Sequence, residues 1–362
     1  TYLDSPGWYR SEARVIKNSV RSYAPDGLFW VVLDQNKKGR YPRAKHIGVN
    51  CYHYGWVRRE EEMNYLDIVE AKEMYNQGKN ITQYLRNKFN ESENTSEIIE
   101  IAYDLKAGSY IELVTANFQK AKTYANELSD ILKKHLKSGD SLLDVGTGEI
   151  TTLSLVLNNI DIELSNVLAF DISWSRLSRG IQFHLKNKKT NVSVETFVAD
   201  IKEIPLHRKC IDVVTSSHAL KPNGRSLTLL LKELFRITKR KLVLFEPSYE
   251  LNSKEGRERM DSLGYIKNIE VEIANLGGKV TDVIPVCNLG NPLNPTACYV
   301  IEPPEDKFVA LDSPIYCVPG TDFKMEKNGA FLSSKDTRLV FPILDGIPIL
   351  RTKSAILATV KF

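Results

Sequence analysis

Two glycines follow a short apolar run in the segment Leu142-Leu143-Asp144-Val145-Gly146-Thr147-Gly148-Glu149. This order predicts a buried strand that leads into a glycine turn and then a helix. Glycines let the backbone approach a ligand closely, and a helix N-terminus offers free N–H groups. A dinucleotide-binding turn requires a third glycine three residues after the second, and Thr151 holds that position. The turn therefore predicts a small-ligand site but disfavours a nicotinamide or flavin cofactor.

Two more carboxylates follow the next predicted strands. Asp171 ends the run 167–170, and Asp200 ends the run 197–199. At the C-terminal end of a strand, Asp171 can accept hydrogen bonds from both ribose hydroxyls of an adenosine, and Asp200 can meet the adenine amino group. Either residue alone is more often an exposed loop acid or a helix cap. Three acidic strand ends in this order, beside the glycine turn, favour a nucleoside site.

These features resemble the nucleoside-binding motifs of class I S-adenosylmethionine-dependent methyltransferases, over roughly residues 98–302. The more specific stretches are Tyr103-Asp104-Leu105-Lys106-Ala107-Gly108-Ser109-Tyr110, Asp171-Ile172-Ser173-Trp174-Ser175-Arg176, Ser216-Ser217-His218 through Pro222-Asn223-Gly224, and Glu246-Pro247-Ser248-Tyr249-Glu250. Together they look like a bacterial methyltransferase group that is associated with surface-polysaccharide synthesis. Ile150 departs from the pattern, because many relatives carry a third glycine of G-x-G-x-G at this position.

The resemblance implies S-adenosyl-L-methionine as the cofactor. Asp144, Gly146 and Gly148 would line its methionine part, and Asp171 would hold the ribose. Ile172 would pack on the adenine face or make an ordinary apolar contact. Tyr103 and Tyr110 would close over the cofactor or would simply pack the first helix onto the sheet. The full predicted set is Tyr103, Tyr110, Asp144, Val145, Gly146, Thr147, Gly148, Asp171, Ile172, Asp200, Ile201 and Ser216.

Two residues are candidates for catalysis. Methyl transfer is an in-line displacement from a good leaving group, so the enzyme supplies alignment, and a base if the acceptor is a hydroxyl. His218 follows the predicted fourth strand, and the usual pKa of histidine suits a base at neutral pH. The alternative is a histidine bound to a loop carbonyl. Glu246, after the fifth strand, would bind a hydroxyl or amine acceptor, or would cap a loop.

Short apolar strands alternate with amphipathic helices through the middle of the chain. The pattern predicts an α/β fold with a doubly wound, mostly parallel, Rossmann-like sheet. The predicted strands are Ser141–Val145, Asn166–Phe170, Val192–Val198, Ile211–Thr215 and Lys241–Phe245. The predicted helices lie near Thr151–Asn158, Trp174–Lys186, Ser226–Ile237 and Ser253–Leu263. A small β-rich C-terminal domain and an N-terminal extension flank this core.

The flanking blocks resemble other families. Residues 1–66 resemble the end of the catalytic domain of inverting family-two glycosyltransferases, without its metal-binding half, so no glycosyltransferase activity is assigned. His46 and His53 within it are weak evidence for a metal site. Residues 67–97 are expected to be a linker, and 98–304 the methyltransferase domain. Residues 305–362 resemble the zinc-ribbon-like domain that activates tRNA and release-factor methyltransferases. Only Cys317 holds a ligand position there, so no metal is expected.

Composition sets broad limits on the class of protein. The 362 residues include 42% hydrophobic residues and carry a net charge of +4, which disfavours nucleic acid as a partner. The five cysteines are far apart, so a disulfide framework is not expected. No apolar run is long enough for a membrane span, and no signal peptide is evident, so we expect a cytoplasmic enzyme. The absence of an initiator Met indicates a piece of a longer polypeptide.

Three functional hypotheses remain open at this stage. The first is a methyltransferase acting on a sugar or glycan hydroxyl or amine, with a glycosyltransferase on the same or a neighbouring chain as a partner. The second keeps the fold but has RNA or a translation protein as the acceptor, and a continuous basic patch beside the cofactor would favour it. The third is a non-catalytic cofactor-binding module in a polysaccharide-assembly complex.

Overall fold

The computed structural model describes residues 22–23, 31–33, 39–40, 65–288, 291–308 and 313–360. The chain divides into two compact units, Thr1–Glu62 and Met63–Phe362. In the first unit the described residues form three short antiparallel strands, which are β1 (Ser22–Tyr23), β2 (Val31–Leu33) and β3 (Gly39–Arg40). The rest of the glycosyltransferase-like segment up to residue 64, including His46 and His53, lies outside the described residues.

The second unit contains ten helices and twelve strands among its described residues. The helices are α1 (Tyr65–Asn76), α2 (Ile81–Lys88), α3 (Ser96–Asp104), α4 (Ser109–Ala116), α5 (Phe118–Leu132), α6 (Thr151–Leu157), α7 (Trp174–Asn187), α8 (Leu227–Ile237), α9 (Lys254–Ser262) and α10 (Ile269–Asn275). The strands are β4 (Ser141–Val145), β5 (Asn166–Asp171), β6 (Val194–Val198), β7 (Ile211–Ser217), β8 (Thr238–Pro247), β9 (Lys279–Pro285), β10 (Thr296–Glu302), β11 (Glu326–Asn328), β12 (Phe331–Ser333), β13 (Leu339–Leu344), β14 (Ile347–Pro348) and β15 (Ile356–Leu357).

A seven-stranded sheet forms the centre of this unit, in the order β6-β5-β4-β7-β8-β10-β9. The first five strands are parallel, and β10 pairs antiparallel with both β8 and β9. The predicted doubly wound α/β fold with a mostly parallel sheet is therefore confirmed. The strand order reverses between β4 and β7, and ligands of such sheets bind in the crevice at that point, outside the C-terminal ends of the strands.

The side chains of successive residues in the parallel strands point to opposite faces of the sheet. They belong to two hydrophobic cores, one on each face. Leu142 packs with α5 and α6, whereas Leu143 packs with α8 and α10. Because both faces are covered, the strand is buried along its whole length. This explains why β4 has a continuous apolar run and not an alternating one.

The stretch 67–97, predicted as a linker, instead contains helices. Within it α1 and α2 pack with α3 around a small apolar cluster of Ala71, Ile81, Leu85, Ile98 and Ala102. The side chain of Asn80 caps the N-terminus of α2, and Thr95 caps α3. Charged residues dominate the sequence here, so the few apolar positions that face the cluster are easily overlooked. Residues 89–95 form the turn and loop that connect α2 to α3.

A second, antiparallel sheet is formed by β11 to β15, which confirms the predicted small β-rich C-terminal region. It is joined to the central sheet by backbone pairing. Ile349 pairs in parallel with Val198 of β6, and the Leu350 N–H donates to the Val198 carbonyl oxygen at 2.8 Å. Phe341 and Leu350 belong to the same core cluster as the central sheet. The terminal residues therefore complete the core of the second unit.

The described residues were also compared with the requirements of a metal site and of a membrane-spanning helix. In the part of the chain that the structure describes, no group of three or more His, Cys, Asp or Glu side chains is arranged to hold a metal ion. Cys317 is buried with a free thiol. Among the same described residues, none of the helices has the length and apolar character needed to cross a membrane.

The shared core predicts that the two sheets unfold together. Phe341 is 0% exposed within that core, so Phe341→Ala should lower the free energy of unfolding by about 3–5 kcal/mol. Phe323→Ala, at a side chain that is 51% exposed, is the matched control and should have little effect. Chemical denaturation followed by circular dichroism measures both. A shared core would be contradicted if the C-terminal sheet unfolded in a separate transition at lower denaturant concentration and Phe341→Ala shifted only that transition.

Candidate cofactor and acceptor site

A cleft of about 900 Å³, partly open to solvent, lies at the C-terminal ends of the central strands and is flanked by α3 and α4. Of the predicted site residues, it is lined by Tyr103, Tyr110, Gly146, Thr147, Asp171, Ile172, Asp200, Ile201 and His218. The remaining predicted residues lie outside this lining, and they are Asp144, Val145, Gly148, Ser216 and Glu246. The structure thus brings the three strand ends together as the sequence order predicted.

The glycine turn after β4 needs both of its glycines. Gly146 and Gly148 have φ angles of +65° and +59°, which L side chains rarely adopt. A Cβ on Gly146 would lie 2.3 Å from the Cβ of Ala219, so no side chain fits there. Ile150, in place of a third glycine, also has a positive φ of 55°. Its side chain is buried in the core against α6, and this burial offsets the conformational cost.

Asp171 links the glycine turn to the start of α7. Its two carboxylate oxygens accept hydrogen bonds from the Gly148 N–H at 2.9 Å and the Ser173 N–H at 3.0 Å. Each carboxylate oxygen has a second lone pair, so Asp171 retains the capacity to accept ribose hydroxyls. Asp200 also lines the cleft, and it accepts from the Lys202 N–H at 2.9 Å. Asp144 lies behind the turn, where burial and the charge of Asp171 raise its pKa to about 7.

Arg176 is a site residue that the sequence interpretation missed. Its guanidinium lies 3.8 Å from a carboxylate oxygen of Asp171 and stacks on the rings of Tyr103 and Tyr110. Glu149, 3.6 Å away, accepts backbone hydrogen bonds from the segment that begins α4. Arg176 thus connects the tyrosines over the cleft to the glycine turn. Two signals were available in the sequence, because Arg176 comes five residues after a strand-ending aspartate and also ends the methyltransferase-like stretch that begins at Asp171.

Glu246, predicted to act on the acceptor, is 0% exposed and lies behind the cleft. Its carboxylate accepts hydrogen bonds from the Ser216 hydroxyl at 3.1 Å, the Leu220 N–H at 2.9 Å and the Lys221 N–H at 3.2 Å. Burial raises its pKa to about 7. These contacts match the loop-capping alternative, because they fix the loop that follows β7.

His218 lines the cleft from that loop, with a positive φ of 61°. Its Nε2 lies 3.1 Å from the Thr296 hydroxyl, and its Nδ1 lies 3.5 Å from the side-chain nitrogen of Asn294. Burial, together with the charge of Lys221, lowers its pKa to about 3. The ring is therefore neutral at physiological pH, and its titration falls well below the pH expected from an ordinary histidine.

Residues 143–245 match the family model described as a methyltransferase domain. No curated protein matches the chain. This match and the Rossmann-like sheet identify a class I S-adenosylmethionine-dependent methyltransferase domain, with S-adenosyl-L-methionine as its cofactor. The cleft fits that group, because a glycine turn that no Cβ can enter lies beside Asp171 and Asp200 at neighbouring strand ends.

Three solved structures are among those to which this chain is similar. A SAM-dependent methyltransferase from Aquifex aeolicus is 20% identical over 48% of this chain and 88% of its own, with a TM-score of 0.35. A geranyl diphosphate C-methyltransferase from Streptomyces coelicolor is 11% identical over 49% and 76%, with a TM-score of 0.38. A chain of the complex between the Haloferax volcanii Trm112 methyltransferase activator and a methyltransferase is 16% identical over 48% and 86%, with a TM-score of 0.39. At this level of similarity they say nothing about the acceptor.

The position of Asp171 predicts its effect on cofactor affinity. Asp171→Ala should weaken the binding of S-adenosylhomocysteine roughly tenfold or more, because a charge-assisted contact to the ribose and the link to the glycine turn are both lost. Asp161→Ala, which removes an exposed acid before the same strand, is the control. Isothermal titration calorimetry measures both dissociation constants. Equal affinity in wild type and Asp171→Ala would show that the cofactor binds elsewhere.

Proposed function

We propose that this enzyme transfers a methyl group to a hydroxyl or amine of a sugar during the synthesis of a surface glycan. The observation that carries the proposal is the lining formed by the loop after β7, which presents Ser217, His218, Lys221 and Asn223 to the cleft. Such a set of hydroxyl, imidazole, amine and carboxamide groups suits an acceptor with many hydroxyls. The sequence resemblances to polysaccharide-associated methyltransferases and, in residues 1–66, to glycosyltransferases support the same acceptor class.

The shape of the site supports a sugar acceptor over RNA. The polar groups line a concave cleft of limited volume, whereas RNA-binding surfaces are extended and strongly basic. The whole chain has a net charge of only +4. We therefore favour a small acceptor, or the end of a glycan chain, over a folded nucleic acid.

S-adenosyl-L-methionine supplies a methyl group bonded to a positively charged sulfur. Transfer of that methyl group to an acceptor hydroxyl would release S-adenosylhomocysteine and would require the hydroxyl to lose its proton. His218 is neutral, so a ring nitrogen is free to accept that proton, but its low pKa makes it a weaker base than the ordinary histidine that the sequence predicted. In the tautomer that donates from Nε2 to Thr296, Nδ1 is the accepting atom. Its 3.5 Å contact with Asn294 is long enough to be replaced by an acceptor hydroxyl.

Acceptor identity can be tested by measuring S-adenosylhomocysteine release with a panel of potential acceptors. The panel contains free sugars, amino sugars, sugar phosphates, nucleotide-linked sugars, glycan oligosaccharides, a transfer RNA and a translation release factor. Release that depends on a sugar, with the methyl group located on it by mass spectrometry, is the expected result. Release only with the RNA or the protein would contradict the proposal. Tight cofactor binding without any turnover would favour a non-catalytic module.

His218 gives a second test of the mechanism. His218→Ala should retain cofactor affinity while turnover falls roughly 10²-fold or more, since a proton acceptor is lost. Only the neutral ring accepts a proton, and its pKa is about 3. Wild-type turnover should therefore show no histidine limb between about pH 6 and pH 8 and should decline only at much lower pH. Unchanged turnover in His218→Ala would assign this residue to loop structure alone.

A further inference from the structure

Three cationic side chains surround the turn Gly264–Tyr265, beside the cleft. Nζ of Lys221 lies 5.9 Å from the centre of the Tyr265 ring, and the guanidinium carbon of Arg259 lies 5.8 Å from it. A nitrogen of the Arg86 guanidinium lies 3.7 Å from the place of a Cβ on Gly264. They come from separate elements, namely the loop after β7, α9 and α2. We call Arg86, Lys221 and Arg259 the cation cluster.

Within the described residues the cation cluster is not neutralised by ion pairs, although Glu246 acts on the charge of Lys221. Many other cations of the described residues form ion pairs, such as Lys88 with Asp67 and Lys241 with Glu302. Within the same described part of the chain, no carboxylate lies within ion-pair distance of any cluster member. Among the described residues, Nε of Arg86 and Nη1 of Arg259 are buried and have no hydrogen-bond partner. Buried polar atoms are normally hydrogen-bonded, so an anion that reached these two nitrogens would satisfy donors that the described residues leave unpaired.

The ligand that best fits the cluster is a phosphate. Guanidinium groups bind phosphate oxygens through paired N–H donors, and lysine adds a point charge. Lys221 belongs to both places, because it contributes to the cluster and also lines the cleft near His218. Burial acts to lower the pKa of Lys221, but the electrostatic effects of its neighbours, Glu246 among them, outweigh burial, and the pKa is raised. The amine therefore carries its charge at neutral pH.

We propose that the cation cluster binds the phosphate or diphosphate group of the acceptor, so that the enzyme methylates a phosphorylated sugar. This inference rests on the proposed sugar acceptor and narrows its chemical class. The phosphate would be held by Arg86 and Arg259, with Lys221 between it and the sugar in the cleft. A sugar 1-phosphate and a nucleotide diphosphate-linked sugar both carry the required group. Three positive charges complement a dianionic phosphate group better than they complement a ligand with a single carboxylate.

Calorimetry with inorganic pyrophosphate tests the site without knowledge of the sugar. The protein is saturated with S-adenosylhomocysteine, so that the cofactor's own carboxylate is already in place. Wild type should bind pyrophosphate, and Arg86→Gln and Arg259→Gln should each weaken binding roughly tenfold, because a charge-assisted contact is lost. Arg259→Lys should retain part of the affinity. Lys254→Gln removes an exposed charge from the same helix and should bind like wild type.

Folding of each variant is checked by its affinity for S-adenosylhomocysteine, which should equal that of wild type. Competition by glucose 1-phosphate and by UDP-glucose then shows which source of phosphate binds more tightly. No pyrophosphate binding by wild type, or equal binding by both Arg→Gln variants, would overturn the inference. Binding of a single-stranded RNA oligonucleotide without binding of pyrophosphate would overturn it as well.

The result is separable from the proposed function. Methylation of neutral sugars by a protein that does not bind pyrophosphate would remove the phosphate site and leave the sugar acceptor standing. Pyrophosphate binding that depends on Arg86 and Arg259, in a protein that methylates no sugar, would retain the phosphate site and reject the sugar acceptor.

Discussion

The buried carboxylate of Glu246 is the contact on which the geometry of the cleft depends. It receives two backbone N–H groups and one hydroxyl, and so it fixes the loop that carries His218 and Lys221. A loop with a residue at positive φ is strained, and it persists only where its surroundings determine it fully. Loss of this carboxylate would leave two buried N–H groups unpaired, and the loop would no longer have a single conformation.

The buried carboxylate of Glu149 has a similar role on the side of the cleft that is formed by α3 and α4. Glu149 accepts N–H groups at the start of α4 and lies beside the guanidinium of Arg176. Helix α3, which precedes α4, is linked to the C-terminal region by an ion pair between Glu100 and Arg351. Both walls of the cleft are therefore anchored by buried or nearly buried charges.

Much of the fold was predictable, because parallel strands covered on both faces leave continuous apolar runs that end in carboxylates. The positions of Asp171 and Asp200 at one edge followed from strand order alone. The charge pattern of 67–97 is helix-like, but the packing of its helices around an apolar cluster was not predicted, because their apolar positions are few and scattered among charges. The partners of Glu246 were also beyond prediction, since three groups from distant positions converge on it only in the folded chain. The same holds for the low pKa of His218, which arises from tertiary burial.

The pairing of Leu350 with Val198 has a consequence for synthesis on the ribosome. The central strands, α8 and α10 emerge first, but the part of one sheet face around Phe197 and Leu206 lacks its C-terminal cover until β13 and the residues after β14 have left the exit tunnel. A nascent chain that has reached only the end of β10 carries every residue that lines the cleft and still exposes apolar surface around Phe197 and Leu206. Such an intermediate is a natural substrate for chaperones, and the catalytic half of this protein matures only after its last strands are made.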